Sequence, residues 1–175
     1  MDVVAYCSVK CNCLQFHRRL TKDVFHLYND SIMNDSDYIK MLQLSRQGFQ
    51  CAQILLILAL ESEGKENADL VRAVGGLNMG LSDKSGPCGC LTGCCCLISY
   101  FAGKGADEEL EDPACSDMLT EFTSWFKEEY DELYGGHTCN GILDGDAKNM
   151  LTRCPDIVRA SYLKAMEILQ TNGVI

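Results

Sequence analysis

Twelve cysteines determine the chemistry that this sequence can perform. They occupy positions 7, 11, 13, 51, 88, 90, 94, 95, 96, 115, 139 and 154 of the 175-residue chain. Cysteine at this density is typical of secreted disulfide scaffolds, metal sites or thiol redox proteins. Disulfide scaffolds are short and loop-rich, whereas this chain has only 3 prolines and several long segments with helical periodicity. The cysteines therefore favour metal or redox chemistry.

Four widely separated cysteines stand beside residues that begin helices. Cys51 follows a glycine, Cys88 follows a Gly-Pro pair, Cys139 follows Gly-Gly-His-Thr, and Cys154 precedes Pro155, which prefers a first helical turn. Unpaired N–H groups and the helix dipole stabilise an anion at such a position, which lowers a thiol pKa from about 8.5. If the fold gathers these four side chains, they would form a thiolate site.

Three more thiols, Cys7, Cys11 and Cys13, lie within seven residues and precede His17. They could form a second metal site or complete the main one. Their spacing matches no zinc or ferredoxin pattern.

The other cysteines have simpler interpretations. Cys94, Cys95 and Cys96 are consecutive in a predicted helix and point in different directions, so they cannot all face one site, and they are interpreted as small buried hydrophobes. Cys115 follows an acidic linker and is interpreted as incidental. The isolated histidine His137 is interpreted as a structural residue.

The elements that position these residues are predicted to be helices. Apolar residues recur with helical spacing, and no segment alternates with period two for long enough to form a strand. The sequence predicts an all-α fold, a compact multi-helix bundle with an N-terminal helical extension. The extension is a cysteine-containing segment and helix over 1–40, and the main domain covers 41–175. The predicted helices are 14–28, 36–47 with an N-cap at Asp35 or Ser36, 51–63, 68–74, 88–102, 118–134 and 155–172.

A glycine-rich loop, GGLNMGLSDKSGP, precedes the cysteine-rich helix. It lacks both GxxxxGK[ST] and GxGxxG, so a tight turn between closely packed helices is favoured over phosphate binding. Gly89 and Gly93, spaced i, i+4, predict close packing at the start of the next helix.

The charge pattern excludes several partners. The net charge is −10, and no basic stripe with interleaved aromatic residues is present, so no nucleic-acid partner is expected. The start has no basic segment before an apolar run, so a cytoplasmic location is predicted. The uncharged stretch 85–103 contains Pro87 and four glycines, which favours a buried helix over a membrane span. The apolar helices are compatible with a homodimer.

The run GFQCAQILL, then GGL, CGCLTG, CNGIL and RCPDIVRA resembles the bacterial C_GCAxxG_C_C family of redox-active proteins. The resemblance covers about residue 41 to the C-terminus. Cys51 matches the first motif cysteine, Cys139 the third and Cys154 the fourth. The second block departs from the family pattern, so the motif cysteine there could be Cys88 or Cys90, and Cys88 is preferred.

The resemblance implies a helical fold and redox or metal-binding cysteines. Four thiolates would suit an iron–sulfur cluster that passes electrons to a redox partner protein, and zinc is the second choice of metal. The chain contains no CxxCH, so no c-type haem is expected. The alternatives are a metal-free thiol/disulfide oxidoreductase or redox sensor, or a structural interaction module.

Overall fold

The structure, a computed structural model, describes residues 35–175. The chain divides into two units, Met1–Asp37 and Tyr38–Ile175, and the architecture given below is that of the second unit. The predicted helix over 14–28 and the thiols Cys7, Cys11 and Cys13 lie outside the described residues. The predicted role of 1–40 as a separate extension therefore stays a prediction.

The described residues form helices joined by short loops, and no β-strand occurs among them, so the all-α prediction is confirmed. The helices are α1 (Asp35–Arg46), α2 (Cys51–Ser62), α3 (Ala68–Val74), α4 (Gly89–Ala102), α5 (Cys115–Tyr134), α6 (Cys139–Leu143) and α7 (Asn149–Thr171). A 3₁₀ turn, Gly75–Leu77, follows α3.

Helix α4 lies at the centre of the bundle and packs against α2, α5 and α7. Helix α2 is apolar on nearly every side, and seven of its twelve residues are buried. A Cβ atom on Gly93 would lie 2.7 Å from the Cα of Ala52, so α4 approaches α2 closely because this position has no side chain. The close packing predicted from the glycine spacing is therefore present.

Helices α5 and α7 cover the core with amphipathic faces. In α5 the apolar residues recur at helical spacing, and Phe122 and Phe126 are completely buried. The helix ends at Gly135, which adopts a left-handed conformation with φ of 74°. Glycine adopts this conformation without a Cβ penalty, as is usual just after a helix.

One helix start was predicted wrongly. Helix α7 begins at Asn149, and Pro155 lies inside it, not at its first turn. Pro155 has no N–H for the carbonyl of Leu151, the usual i−4 acceptor, so the helix lacks one hydrogen bond. Burial of Ile157, Val158 and the apolar face that follows offsets this local penalty. Tertiary packing here outweighs the preference of proline for a helix start.

No helix within residues 35–175 has both the length and the apolar character needed to cross a bilayer.

Candidate thiol site

Two helices begin side by side at the candidate site. Cys51 is the first residue of α2, Cys88 is the N-cap of α4, and Cys90 is the second residue of α4. Between the last two, Gly89 faces Cys51 so closely that a Cβ atom on Gly89 would collide with the Cys51 Sγ. The absence of a side chain at Gly89 therefore allows these three thiols to meet.

Cys90 connects the other two sulfurs. Its single S–H proton can be donated to Cys51 or to Cys88, and this interaction is the largest cause of the lowered pKa of each of them. The bond from Cys90, supported by backbone N–H groups that include those of Met79 and Ala52, lowers the pKa of Cys51 to about 6 against the effect of burial. The same Cys90 bond lowers the pKa of Cys88.

The Cys90 thiol has the opposite character. It is only 2% exposed. Its hydrogen bonds to Cys51 and Cys88, together with burial, raise its pKa well above the usual range. At neutral pH the cluster therefore combines a partly accessible thiolate, Cys51, with a buried protonated thiol within hydrogen-bonding reach.

Asn78, which sequence reasoning did not identify, organises the start of α2. It is 5% exposed, and its Oδ1 accepts a hydrogen bond from the Ala52 N–H at 2.9 Å. The same oxygen can accept one from the protonated Cys51 thiol at 3.7 Å. Its Nδ2 donates to Gln53 Oε1 at 3.1 Å. A lone asparagine within the glycine-rich loop was the available signal, because asparagine commonly bonds to nearby backbone groups in turns.

The loop that follows Asn78 has a strained backbone. Met79, Leu81, Ser82 and Lys84 all have positive φ angles, between 53° and 80°, although none is glycine. Such conformations cost about 1–2 kcal/mol each for L-residues and are often found at functional sites. The Met79 N–H of this loop is one of the groups that lower the pKa of Cys51.

The same loop places Cys139 beside the cluster. Residues before α4 form a short antiparallel bridge with residues before α6, in which Pro87 pairs with Thr138. The Cys88 N–H donates to the His137 carbonyl at 2.9 Å, and the Cys139 N–H donates to the Gly86 carbonyl at 3.1 Å. Cys139 is the first residue of α6, as its predicted helix-start position required.

Cys154 reaches the site from the second turn of α7, so its predicted N-cap position is wrong. Arg153 holds this part of α7 in place. Its guanidinium donates to the Ile142 carbonyl at 2.6 Å and lies 4.9 Å from the ring centroid of Tyr134.

The prediction that all four separated cysteines have lowered pKa values fails for two of them. Burial raises the pKa of Cys139 to about 11 and that of Cys154 to about 12. Helix α6 has only five residues and Cys154 is not at a helix start, so neither thiol gains enough from a helix dipole to offset its desolvation.

All five cysteines predicted as the main site line one cavity of about 350 Å³: Cys51, Cys88, Cys90, Cys139 and Cys154. The remaining wall consists mainly of apolar side chains from α1, α2 and α7. The sequence allows either Cys88 or Cys90 as the motif cysteine, and both residues line the cavity. The metal or redox role of these residues stays a prediction.

Thiolate is a suitable ligand for iron–sulfur clusters and zinc. Within residues 35–175, no group of three or more cysteine, histidine, aspartate or glutamate side chains is placed to hold a metal ion. The iron–sulfur or zinc centre therefore stays a prediction.

The other described cysteines lie away from the cavity. Cys94 is completely buried, and burial raises the pKa of its thiol. Cys95 contacts the Thr123 hydroxyl at 3.8 Å, and Cys96 packs against a cluster that contains Leu56 and Leu60. Cys115 is buried at the start of α5, where burial raises its pKa.

Comparison with known proteins gives one match. The family model described as "Putative redox-active protein (C_GCAxxG_C_C)" matches residues 49–168, which include every cavity cysteine. No curated protein and no solved structure matches the chain. Because the matched region covers more than half of the chain, this protein belongs to the C_GCAxxG_C_C family of redox-active proteins.

Proposed function

We propose that this protein performs thiol–disulfide exchange, with Cys51 as the attacking sulfur and Cys90 as the resolving sulfur. The observation that carries the proposal is the close approach of Cys51 to Gly89, the residue just before Cys90, beside a cavity that Cys51 and Cys90 both line. A thiolate is the nucleophile in disulfide exchange, and a second thiol within reach can close the intramolecular disulfide.

The exchange proceeds in two displacements. The Cys51 thiolate attacks one sulfur of a substrate disulfide, forming a mixed disulfide and releasing the other half as a thiolate. The Cys90 thiol gives its proton to that thiolate and attacks the Cys51 sulfur, which releases the second half. The products are a Cys51–Cys90 disulfide, one thiol and one thiolate.

The first displacement prepares the second. The hydrogen bond to Cys51 is the largest reason for the raised pKa of Cys90. Once Cys51 is held in a mixed disulfide it carries no negative charge, so Cys90 loses this acceptor and its pKa falls. Cys88 and burial continue to raise the pKa of Cys90, so the first displacement removes the largest of three causes. A redox partner protein or a small thiol would then reduce the disulfide.

An iron–sulfur or zinc centre is the second candidate. One observation favours it: five sulfurs border the same cavity. Because their positions do not form a metal-binding group, loading would require the thiol side chains to move. Iron, sulfide and zinc analysis of anaerobically purified protein distinguishes the two candidates, since stoichiometric metal bound through these cysteines would favour the second.

The proposed exchange is tested by mapping the products of a single turnover. The reduced protein is mixed with bis(2-hydroxyethyl) disulfide, quenched with acid, alkylated and digested for mass spectrometry. Wild type should yield a Cys51–Cys90 disulfide, Cys90→Ser should stop at a mixed disulfide on Cys51, and Cys51→Ser should not react at this site. Cys115→Ser, which alters a buried thiol outside the cavity, should behave as wild type.

The pH dependence of alkylation supplies a second test. Iodoacetamide should modify Cys51 with a midpoint near pH 6 in wild type, and Cys90→Ala should move this midpoint upward because the main hydrogen bond to the thiolate is lost. A wild-type midpoint near 8.5, the value of a free thiol, would contradict the proposal.

A further inference from the structure

The cavity beside the thiol cluster has a composition that restricts the molecules it accepts. Most of its lining away from the cysteines is apolar, including Met41, Leu42, Ile54, Met150 and Val158. Among the described lining residues other than the cysteines, Arg46 is the one with a charged side chain. An apolar wall of this kind leaves few partners for polar or charged groups, whose burial without hydrogen bonds is unfavourable.

The size of the cavity indicates a small ligand. Its volume of about 350 Å³ lies at the lower end of the range for small-molecule pockets. The space therefore suits a small molecule.

The reactive residue lines this space. Cys51 lines the cavity at the start of α2, and residues of α1 and α7 line it as well. Cys90 lines the same cavity, so a molecule that occupies it has both thiols in its surroundings.

We propose that the substrates of this site are low-molecular-weight apolar disulfides, bound with one apolar arm in the cavity. The inference rests on the proposed function and specifies its substrate class. Cys51 takes the bound half as a mixed disulfide, and the other half leaves as a thiolate. Cys90 then displaces the bound half. In total, one small disulfide, the Cys51 thiolate and the Cys90 thiol become one protein disulfide, one small thiol and one small thiolate. The small thiolate takes up a proton from solution. A small thiol is the reductant that completes a cycle.

The test compares two disulfides of nearly the same shape, di-n-propyl disulfide and bis(2-hydroxyethyl) disulfide, which differ by methyl against hydroxyl at each end. For each disulfide, the single-turnover rate constant at Cys51 is divided by the rate constant for reaction of the same disulfide with free 2-mercaptoethanol thiolate. This division removes the difference in intrinsic reactivity between the two disulfides. The corrected preference for the propyl compound should be at least about tenfold, as expected for burial of methyl in place of hydroxyl groups.

A matched pair of variants locates the selectivity. Val158→Thr places a hydroxyl in the cavity wall at nearly constant volume and should reduce the preference several-fold. Val74→Thr makes the same change at a residue with the same 6% exposure that lies in the core outside the cavity, and it should leave the preference intact. Equal effects of the two variants would mean that the cavity does not select the substrate.

A binding measurement separates this inference from the proposed chemistry. In Cys51→Ser, which cannot react, the fluorescent probe 1-aminoanthracene should bind and be displaced by di-n-propyl disulfide. Equal corrected rates for the two disulfides, or no displacement, would overturn the substrate assignment while leaving thiol–disulfide exchange in place. Failure of both disulfides to react at Cys51 would overturn the proposed function and the substrate assignment together.

Discussion

The thiol cluster depends on a residue that has no side chain. Gly89 separates Cys88 from Cys90 and faces Cys51 across the gap between two helix starts. A Cβ atom there would also lie 3.1 Å from the Leu77 carbonyl oxygen, so a side chain at this position would crowd the backbone as well as the sulfur. Contact between Cys51 and Cys90 therefore requires glycine at this position.

Gly89→Ala should break this contact. Crowding of a packed site usually costs about 1–3 kcal/mol of unfolding free energy, and displacement of the Cys51 sulfur should return its pKa toward about 8.5. Urea unfolding and the pH midpoint of iodoacetamide alkylation measure the two effects. Gly76→Ala is the matched control, because a Cβ on Gly76 meets no heavy atom within 4 Å. An unchanged alkylation midpoint in Gly89→Ala would show that the thiolate does not depend on this close approach.

The chemistry of individual thiols could be predicted from sequence only in part. Helix-start signals correctly placed Cys51, Cys88 and Cys139, because glycine and proline mark local chain direction. They predicted a lowered pKa at each of these positions, which holds for Cys51 and fails for Cys139, since the difference arises from the neighbouring Cys90 and from burial. Asn78 was missed for the same reason: its bond to the start of α2 joins residues 26 positions apart.

At the scale of elements, the loop between the 3₁₀ turn and α4 is the least relaxed part of the described chain. It is held by several contacts. The Ser82 N–H donates to the Asn78 carbonyl, and the Lys84 N–H donates to the Met79 carbonyl. Bridge contacts to the residues before α6 add further support. These bonds maintain left-handed conformations that the residue types alone would not adopt.

Ser82→Gly should stabilise the protein. Ser82 is exposed with φ of 80°, so removal of its Cβ relieves about 1–2 kcal/mol of local strain, and the added backbone entropy of glycine takes back about 0.5–1 kcal/mol. A net gain of about 0.5–1 kcal/mol in unfolding free energy should be measurable by urea titration.

Ser85→Gly provides the comparison within the same loop. Ser85 does not have a positive φ, and its hydroxyl and N–H both donate to Asp83. Its replacement should therefore destabilise the protein. Stabilisation of both variants, or of neither, would show that the left-handed backbone at Ser82 stores no strain.

The order and type of the described helices were largely predictable, whereas their contacts were not. Apolar periodicity and glycine positions predicted α2, α3, α4 and α5, since these signals are local. The start of α7 was misplaced because the preference of Pro155 is also local, and burial of the helix face beyond it outweighed that preference. Periodicity alone could not show that α4 would become the central helix, since that depends on contacts distant in sequence.

At the scale of the whole unit, the core and the site share the same helices. Helices α2 and α4 bury much of the core and also contribute Cys51, Cys88 and Cys90, so these three sulfurs are held by the best-packed part of the bundle. Residues from α1 and the first half of α7 also line the cavity. The ionisation of the cluster should therefore be coupled to global unfolding.

Stability should depend on pH through Cys51. Its pKa is about 6 in the folded protein, against about 8.5 for a thiol in an unfolded chain. Between these values the unfolded state binds more protons than the folded state, so the unfolding free energy rises with pH. The contribution is complete above about pH 8.5 and is lost as the pH falls through 6. The difference between the two pKa values corresponds to an unfolding free energy of about 3 kcal/mol. Because the half-buried thiolate also contacts water, the actual contribution should be smaller.

Urea unfolding of reduced protein between pH 5.5 and 8.5 should show this increase in unfolding free energy. The increase should be smaller in Cys51→Ala and unchanged in Cys115→Ala. A wild-type profile that runs parallel to that of Cys51→Ala would mean that Cys51 is not a thiolate in the folded protein at neutral pH.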